Sequence, residues 1–145
     1  MSLVDAATRT GVQDWHEAVL TSAQLLVDMG SATQGYPQAC VDVVSEHGPY
    51  IVLTPGLALV HARPESGGVE LGVAVLRLDG PVEFGHEAND PVDVLLAFSS
   101  PDQSAHVETL STLARALGTG LADRLREAGS AGRLRQLVTE ALDAG

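Results

Sequence analysis

Lysine is absent from this sequence of 145 residues, because all eight of its basic residues are arginines. A Walker A phosphate loop, a Schiff-base enzyme and a protein kinase each need a lysine ammonium group. The sequence therefore excludes these three classes. It also has a single cysteine, Cys40, which excludes an intrachain disulfide, a C-x-x-C redox pair and a cysteine-rich zinc site.

Long hydrophobic runs are also missing. No stretch approaches the roughly 18 apolar residues of a membrane span, and the first residues lack the apolar core of a signal peptide. We therefore expect a cytoplasmic protein that does not insert into a membrane. Eight basic residues against 19 acidic ones give a net charge of −11, which repels nucleic acid, so no nucleic-acid partner is expected.

The composition that remains is typical of a folded domain. Apolar residues make up 45% of the chain and aromatic residues only 3%, so we expect an aliphatic core. No linker, repeat or low-complexity segment divides the sequence. We interpret residues 1–145 as a single domain.

Two helices are predicted in the first third of the chain. Asp14 and Glu17 have the spacing of a capping box at the start of the first helix, which we expect to end at Gly30. A second, shorter helix is predicted to begin at Pro37 and to end at Gly48.

Three further helices are predicted after the last strand. Ser100 and Pro101 have the pattern of an N-cap and first residue, and Gly118 marks the end of that helix. Two amphipathic segments follow around residues 121–128 and 134–142. All three are interpreted as packing helices.

The middle of the chain has the pattern of β-strands. Four runs of aliphatic or β-branched residues are separated by segments that contain glycine and proline. The runs cover residues 50–53, 57–61, 71–78 and 92–98. Several are apolar at consecutive positions, which is typical of a sheet with both faces covered. The predicted fold is α/β, a layered sandwich whose central mixed β-sheet is flanked by helices on both faces.

Most sequence signatures of enzyme sites are missing as well. No two histidines have the H-x-x-x-H spacing of a helical metal site, no G-x-S-x-G elbow occurs, and no G-x-G-x-x-G follows a strand. We therefore expect neither a metal nor an organic cofactor. The candidates for chemistry come from the five histidines.

His61 is the first candidate, because it stands at the end of a predicted strand. A neutral imidazole has a free lone pair on one ring nitrogen and can attack a phosphoryl group without prior deprotonation. Arg63, two positions further on, can offer a forked hydrogen bond to phosphate oxygens. The alternatives are a merely structural histidine at a strand end and a surface Arg63 paired with Glu65.

The other polar candidates have simpler interpretations. His106 lies on the apolar stripe of the third predicted helix, where we interpret it as a histidine at the edge of the core, bonded to a nearby carboxylate or carbonyl. His86 falls in a polar loop and is expected to contact solvent. Cys40 has apolar helical neighbours, which predict an inert buried thiol.

Three segments of the sequence carry a family resemblance. They read GLALVHARPE at residues 56–65, PVEFG at 81–85 and PDQSAH at 101–106. Together they resemble the type 2 enzyme IIA (EIIA) domain, of the mannitol/fructose superfamily, in the bacterial phosphoenolpyruvate-dependent sugar phosphotransferase system. The resemblance covers nearly the whole chain. The run His-Ala-Arg-Pro-Glu is similar to the ascorbate-type branch, since glycine usually follows the histidine in the mannitol and fructose types.

The resemblance implies a phosphotransferase that works through a phosphohistidine intermediate. His61 would accept a phosphoryl group from the phosphocarrier protein HPr and pass it to the cysteine of a cognate enzyme IIB, for uptake of a sugar such as ascorbate. It further implies that His106 lies beside His61 and, with Arg63, helps to hold the phosphoryl group. One position departs from the family pattern, because Val60 stands where proline usually precedes the active histidine and fixes the backbone.

Two alternative functions stay open. The first is a regulatory paralogue that is phosphorylated on the same histidine but controls other proteins. The second is a binding module that kept the fold and lost the transfer, for which Val60 offers one reason. A neighbouring gene for enzyme IIB or IIC would distinguish the transport role from the first alternative.

Overall fold

The structure, a computed structural model, describes residues 3–144, so Met1, Ser2 and Gly145 of the predicted domain lie outside the described range. Its strands and helices follow one another along the chain without a regular β-α repeat. In chain order they are β1 (Val4–Arg9), α1 (Trp15–Asp28), α2 (Tyr36–His47), β2 (Val52–Thr54), β3 (Leu57–Val60), a 3₁₀ turn (Pro64–Ser66), β4 (Gly72–Val82), β5 (Val92–Ser99), α3 (Gln103–Gly118), α4 (Leu121–Glu127) and α5 (Ala131–Ala144).

The strands form one mixed sheet in the order β1-β4-β5-β3-β2. β1 runs parallel to β4 and β3 runs parallel to β5, whereas the β4–β5 and β2–β3 pairs are antiparallel. The central strands β4 and β5 are buried along most of their length. This arrangement confirms the predicted α/β class with a mixed sheet.

The prediction of four strands was wrong, because β1 forms a fifth. Its sequence, VDAATR, has only Val4 and Ala7 buried, and aspartate and alanine have low strand propensity. Its register runs along β4 from Val4 opposite Val73 to Arg9 opposite Leu78. β1 is therefore a strand because it pairs with β4, and its own residue pattern does not predict it.

Helices cover both faces of the sheet, as predicted. Ala74 and Leu76 of β4 belong to the core on one face, with residues of α1 and α2. Val73 and Val75 belong to the opposite core, with residues of α3, α4 and α5. Successive residues of one strand thus enter different cores, which explains the consecutive apolar positions. Within residues 3–144 no helix combines the length and the hydropathy that a membrane span requires.

The helix starts test the capping predictions. The Asp14 carboxylate accepts a hydrogen bond from the Glu17 N–H at 2.9 Å, which confirms the first cap. For α3 the prediction of Ser100 was wrong, because the Asp102 carboxylate accepts from the Ala105 N–H at 2.8 Å and the helix begins at Gln103. Ser100 is instead buried beyond the end of β5, and its hydroxyl lies 3.4 Å from the His106 Nδ1.

The parallel pairing of β3 with β5 brings two distant segments of the chain to the same edge of the sheet. Val60 lies opposite Ala97, so both strands end at the same edge of the sheet. His61 follows the first strand directly, and the segment that leads into α3 follows the second. Residues that are far apart in sequence therefore meet at this edge.

Candidate functional site

His61 is the first residue after β3, and a carbonyl of its own strand holds its ring. The ring Nδ1 lies 3.1 Å from the carbonyl oxygen of Leu59. Because a carbonyl oxygen only accepts hydrogen bonds, Nδ1 of the neutral imidazole must carry the proton. The lone pair then remains on Nε2, which is the nitrogen available as a nucleophile.

Three other rings surround the His61 imidazole. The ring of Phe98 is stacked on it, with a centroid distance of 5.2 Å and an interplanar angle of 25°. His106 meets it at 5.4 Å and 61°, and Tyr50 stands edge-on at 6.5 Å. These rings pack around the imidazole, and two of the sequence-predicted site residues, His61 and His106, lie side by side.

His106 is oriented by the start of α3 and the end of β5 together. Its backbone N–H donates to the carbonyl of the cap residue Asp102 at 3.0 Å. Its ring Nδ1 lies 3.4 Å from Oγ of the buried Ser100. The ring also packs against Phe98 at a centroid distance of 5.1 Å, so Phe98 contacts both imidazoles.

The surroundings lower the pKa of both imidazoles below the ordinary value of 6.5. For His61 burial is the main cause; the Leu59 carbonyl raises the pKa and His106 lowers it further. For His106 burial again lowers the pKa, and the Glu65 carboxylate opposes it. Both rings are therefore neutral at about pH 7, the form that a nucleophilic imidazole requires.

These lowered pKa values predict a loss of stability in mild acid. The unfolded chain has the ordinary pKa of about 6.5 and binds more protons than the folded protein between that value and the lower folded pKa. The contribution to stability is therefore fully present above about pH 6.5 and is lost as the pH falls towards the folded pKa. Urea unfolding between about pH 7 and pH 5 should show a falling midpoint.

Glutamine variants provide the control for this pH dependence. His61→Gln should make the fall in the urea midpoint shallower, because glutamine does not titrate. The matched control is His16→Gln, at an exposed position of α1 where the ring contacts Trp15 and not the site; an equally shallow fall in this variant would show that the effect does not come from the site. An equal slope in wild type and His61→Gln would contradict the prediction.

Arg63 lies on the turn that follows His61, where it precedes the 3₁₀ turn and is exposed. None of the ion pairs formed within residues 3–144 includes it, and it is not bonded to Glu65. The alternative of an Arg63–Glu65 pair is therefore not observed. The structure brings His61 and His106 together but joins Arg63 to neither ring by a hydrogen bond.

Sequence reasoning missed three side chains that shape this site: Tyr50, Phe98 and Ser100. A signal for Phe98 was present, because it ends a predicted strand in a chain with only two phenylalanines and two tyrosines. What the pattern did not contain was the parallel pairing that places this strand beside β3. Ser100 was assigned to a helix cap, a role that Asp102 fills.

The remaining candidates lie outside the site. The prediction that His86 contacts solvent was incomplete, because its Nδ1 accepts hydrogen bonds from the backbone N–H groups of Ala88 and Asn89 at 3.1 and 3.0 Å. Cys40 is buried, and burial raises the pKa of its thiol to about 12, as expected of an inert thiol. Among the described residues no cluster of three or more metal-binding side chains occurs.

Comparison with known proteins identifies the family. The sequence profile described as phosphoenolpyruvate-dependent sugar phosphotransferase system, EIIA 2, matches residues 5–141. The ascorbate-specific PTS system EIIA component of Shigella flexneri is 45% identical over 96 residues, which are 66% of this chain and 62% of that protein. The Escherichia coli K12 component is 42% identical over 96 residues, which are again 66% of this chain and 62% of that protein. The chain thus spans 62% of the length of these curated relatives.

Solved structures agree with the fold. The mannitol-specific cryptic phosphotransferase enzyme IIA of Escherichia coli matches with a TM-score of 0.79 and 28% identity, covering 94% of this chain and 92% of that one. The enzyme IIA of the Escherichia coli mannitol complex with phosphorylated enzyme IIB has a TM-score of 0.77 at 20% identity, over 95% and 94% of the two chains; at that identity it supports the fold alone. The chain belongs to the type 2 EIIA family of the phosphoenolpyruvate-dependent sugar phosphotransferase system.

Proposed function

We propose that this chain is a cytoplasmic phosphocarrier in which residues 1–145 act as one EIIA domain. His61 accepts a phosphoryl group from HPr and passes it to the cysteine of a cognate enzyme IIB. The observation that carries the proposal is the His61 ring, whose Nδ1 faces the Leu59 carbonyl at 3.1 Å, so that Nε2 has the free lone pair. Family membership over residues 5–141 supports the same reaction class.

The proposed transfer is an in-line displacement at phosphorus. The Nε2 lone pair of His61 forms a new N–P bond while the phosphoryl bond to the imidazole of HPr breaks, and that imidazole leaves with the bonding electrons. In the second half, the cysteine thiolate of enzyme IIB forms an S–P bond and the neutral His61 imidazole is released. Positioning and electrostatic stabilisation are the main contributions of the protein.

The phosphoryl group brings about two negative charges to an acidic protein, so it needs donors close by. His106 lies 5.4 Å from His61 between ring centroids. A nearby dianion raises the pKa of that imidazole, which favours the charged donor form once His61 is phosphorylated. Arg63 has no competing ion pair within the described residues and is the second proposed donor.

Replacing His106 tests this division of roles. In His106→Ala we expect His61 to accept the phosphoryl group still, because the nucleophile and its Leu59 contact remain. Onward transfer to enzyme IIB should be roughly tenfold to a hundredfold slower, because a donor to the developing charge is lost. Rapid-quench measurement of both half-reactions separates the two effects. Complete loss of acceptance would refute the proposed roles.

Val60 does not argue against this function. It stands where the family usually has proline, yet it is 1% exposed and lies opposite Ala97 in the parallel ladder. The ladder therefore fixes the backbone that leads into His61, as a proline ring would by restricting φ. This supports an active site over a binding module that lost the transfer.

The names of the relatives support a proposal for the substrate class. Proteins up to 45% identical are named ascorbate-specific PTS components, and we propose that this chain supplies phosphoryl groups for ascorbate uptake. Incubation with phosphoenolpyruvate, enzyme I and HPr should raise the intact mass by one phosphoryl group, which an ascorbate-type enzyme IIB then removes. Phosphorylation without transfer to enzyme IIB would favour a regulatory paralogue, and no phosphorylation would favour a binding module.

A further inference from the structure

The hydroxyl group of Tyr36 lies between the two chain segments that form the His61 site. Tyr36 is the first residue of α2 and is 1% exposed. Its hydroxyl accepts a hydrogen bond from the Ala62 N–H at 3.1 Å and donates one to the Phe98 carbonyl at 2.8 Å. Ala62 directly follows His61, and Phe98 carries the ring that is stacked on His61.

The position of this hydroxyl corresponds to the next hydrogen bond of the β3–β5 ladder. The parallel register pairs Val60 with Ala97, and its continuation would direct the Ala62 N–H to the Phe98 carbonyl. The phenol oxygen lies between these two groups and bonds to both. It therefore holds the strands apart at the position of His61 while it satisfies the buried N–H and carbonyl.

We propose that Tyr36 is a positioning residue for His61, fixing the imidazole orientation by bridging Ala62 to Phe98 through its hydroxyl group. The expected effect of Tyr36 on phosphoryl transfer rests on the proposed phosphocarrier function. The expected effect of Tyr36 on the orientation of the His61 ring does not. It assigns to α2 a part in the site through a hydroxyl group that bonds to the backbone on either side of the His61 ring.

The surroundings of Tyr36 keep the bridge in place. Its backbone N–H donates to the Thr33 carbonyl at 3.0 Å, and the Thr33 N–H donates to the Gly67 carbonyl at 2.8 Å. A Cβ added at Gly67 would lie 3.2 Å from the Tyr36 Cβ, so the turn after His61 packs directly on this residue. Burial also raises the pKa of the phenol above its ordinary value, so the hydroxyl keeps the proton that it donates.

Tyr36→Phe removes the bridge and retains the ring. The Ala62 N–H then either bonds directly to the Phe98 carbonyl or loses its partner, and we expect either outcome to shift Ala62, the residue next to His61. Two-bond ¹H–¹⁵N NMR spectra of the ring should show one tautomer in the wild type, with the proton on Nδ1, and a mixture in Tyr36→Phe. At saturating phospho-HPr, acceptance should be about tenfold slower, with the KM for HPr unchanged.

The matched control is Ser22→Ala, which also removes a buried hydroxyl bonded to a backbone carbonyl, that of Val19, within α1. It should lose stability without a change in the His61 tautomer. If Tyr36→Phe does not fold, 3,5-difluorotyrosine incorporated at position 36 alone keeps the hydroxyl but weakens it as an acceptor, and should shift the Ala62 amide proton and the His61 ring signals together.

The outcomes separate this proposal from the phosphocarrier function. A His61 ring spectrum that is the same in Tyr36→Phe and wild type overturns the positioning role, whatever the transfer rate. So does an equal change in Ser22→Ala. A wild-type protein that is never phosphorylated refutes the proposed function, while the ring spectra still decide whether Tyr36 orients His61.

Discussion

His61→Ala is expected to abolish phosphoryl acceptance completely. Alanine has no lone pair to attack phosphorus, and no other imidazole in the described site has the Nδ1 contact to a backbone carbonyl that leaves Nε2 free. The neighbouring His106 has its Nδ1 near the Ser100 hydroxyl instead and is interpreted as a donor. Intact-mass analysis after incubation with phosphoenolpyruvate, enzyme I and HPr should show no phosphorylated species.

The matched control for this loss is His16→Ala. His16 is exposed on α1, and its ring meets Trp15 and not the site. This variant should be phosphorylated as fast as the wild type. Continued phosphorylation of His61→Ala would show that another residue is the acceptor and would refute the assignment of His61.

Gly68→Ala is expected to destabilise the fold strongly and to disturb the site. A Cβ at this position would overlap the carbonyl oxygen of Ser100 and would lie 3.1 and 3.2 Å from the carbonyl carbon and backbone nitrogen of that residue. Neither segment can move freely, because the Gly68 N–H donates to the Pro64 carbonyl at 2.8 Å and Ser100 is buried. Overpacking of this kind costs about 1–3 kcal/mol.

The same substitution should also alter phosphoryl transfer. A displaced Ser100 would move its hydroxyl away from the His106 Nδ1, which lies 3.4 Å away. We therefore expect a lower urea midpoint together with slower transfer to enzyme IIB. Gly80→Ala is the matched control, since nothing lies within 4 Å of a Cβ built there; its free energy of unfolding should change by less than about 0.5 kcal/mol. Equal midpoints for the two variants would contradict the prediction.

The strands show which elements the local residue pattern can predict and which it cannot. Residues 57–61 and 92–98 were predicted as strands because their apolar runs are long enough and lie between turn residues. β1 was missed, because VDAATR has no such pattern and becomes a strand only by pairing with β4. Local pattern also fails for Ser100. The sequence Ser100-Pro101 is typical of a helix start, but Ser100 is buried beyond the end of β5 and does not cap α3.

Within the site, the sequence by itself was enough to select His61 as the candidate nucleophile. His61 follows a strand run, Arg63 stands two positions away, and both belong to one short segment whose residues carry the family resemblance. A strand end places a side chain at the edge of a sheet whatever the rest of the fold does. That is why a local segment was enough to predict that His61 lies at the sheet edge, while its role as nucleophile stays a prediction.

The tertiary structure alone decided how the imidazole is oriented and what surrounds it. The parallel pairing of β3 with β5 stacks Phe98 on His61 and brings His106 to it. Burial by these distant segments lowers the pKa of the ring. Periodicity and propensity report on a window of neighbouring residues, whereas these contacts depend on the order of strands in the sheet, so no local pattern contains them.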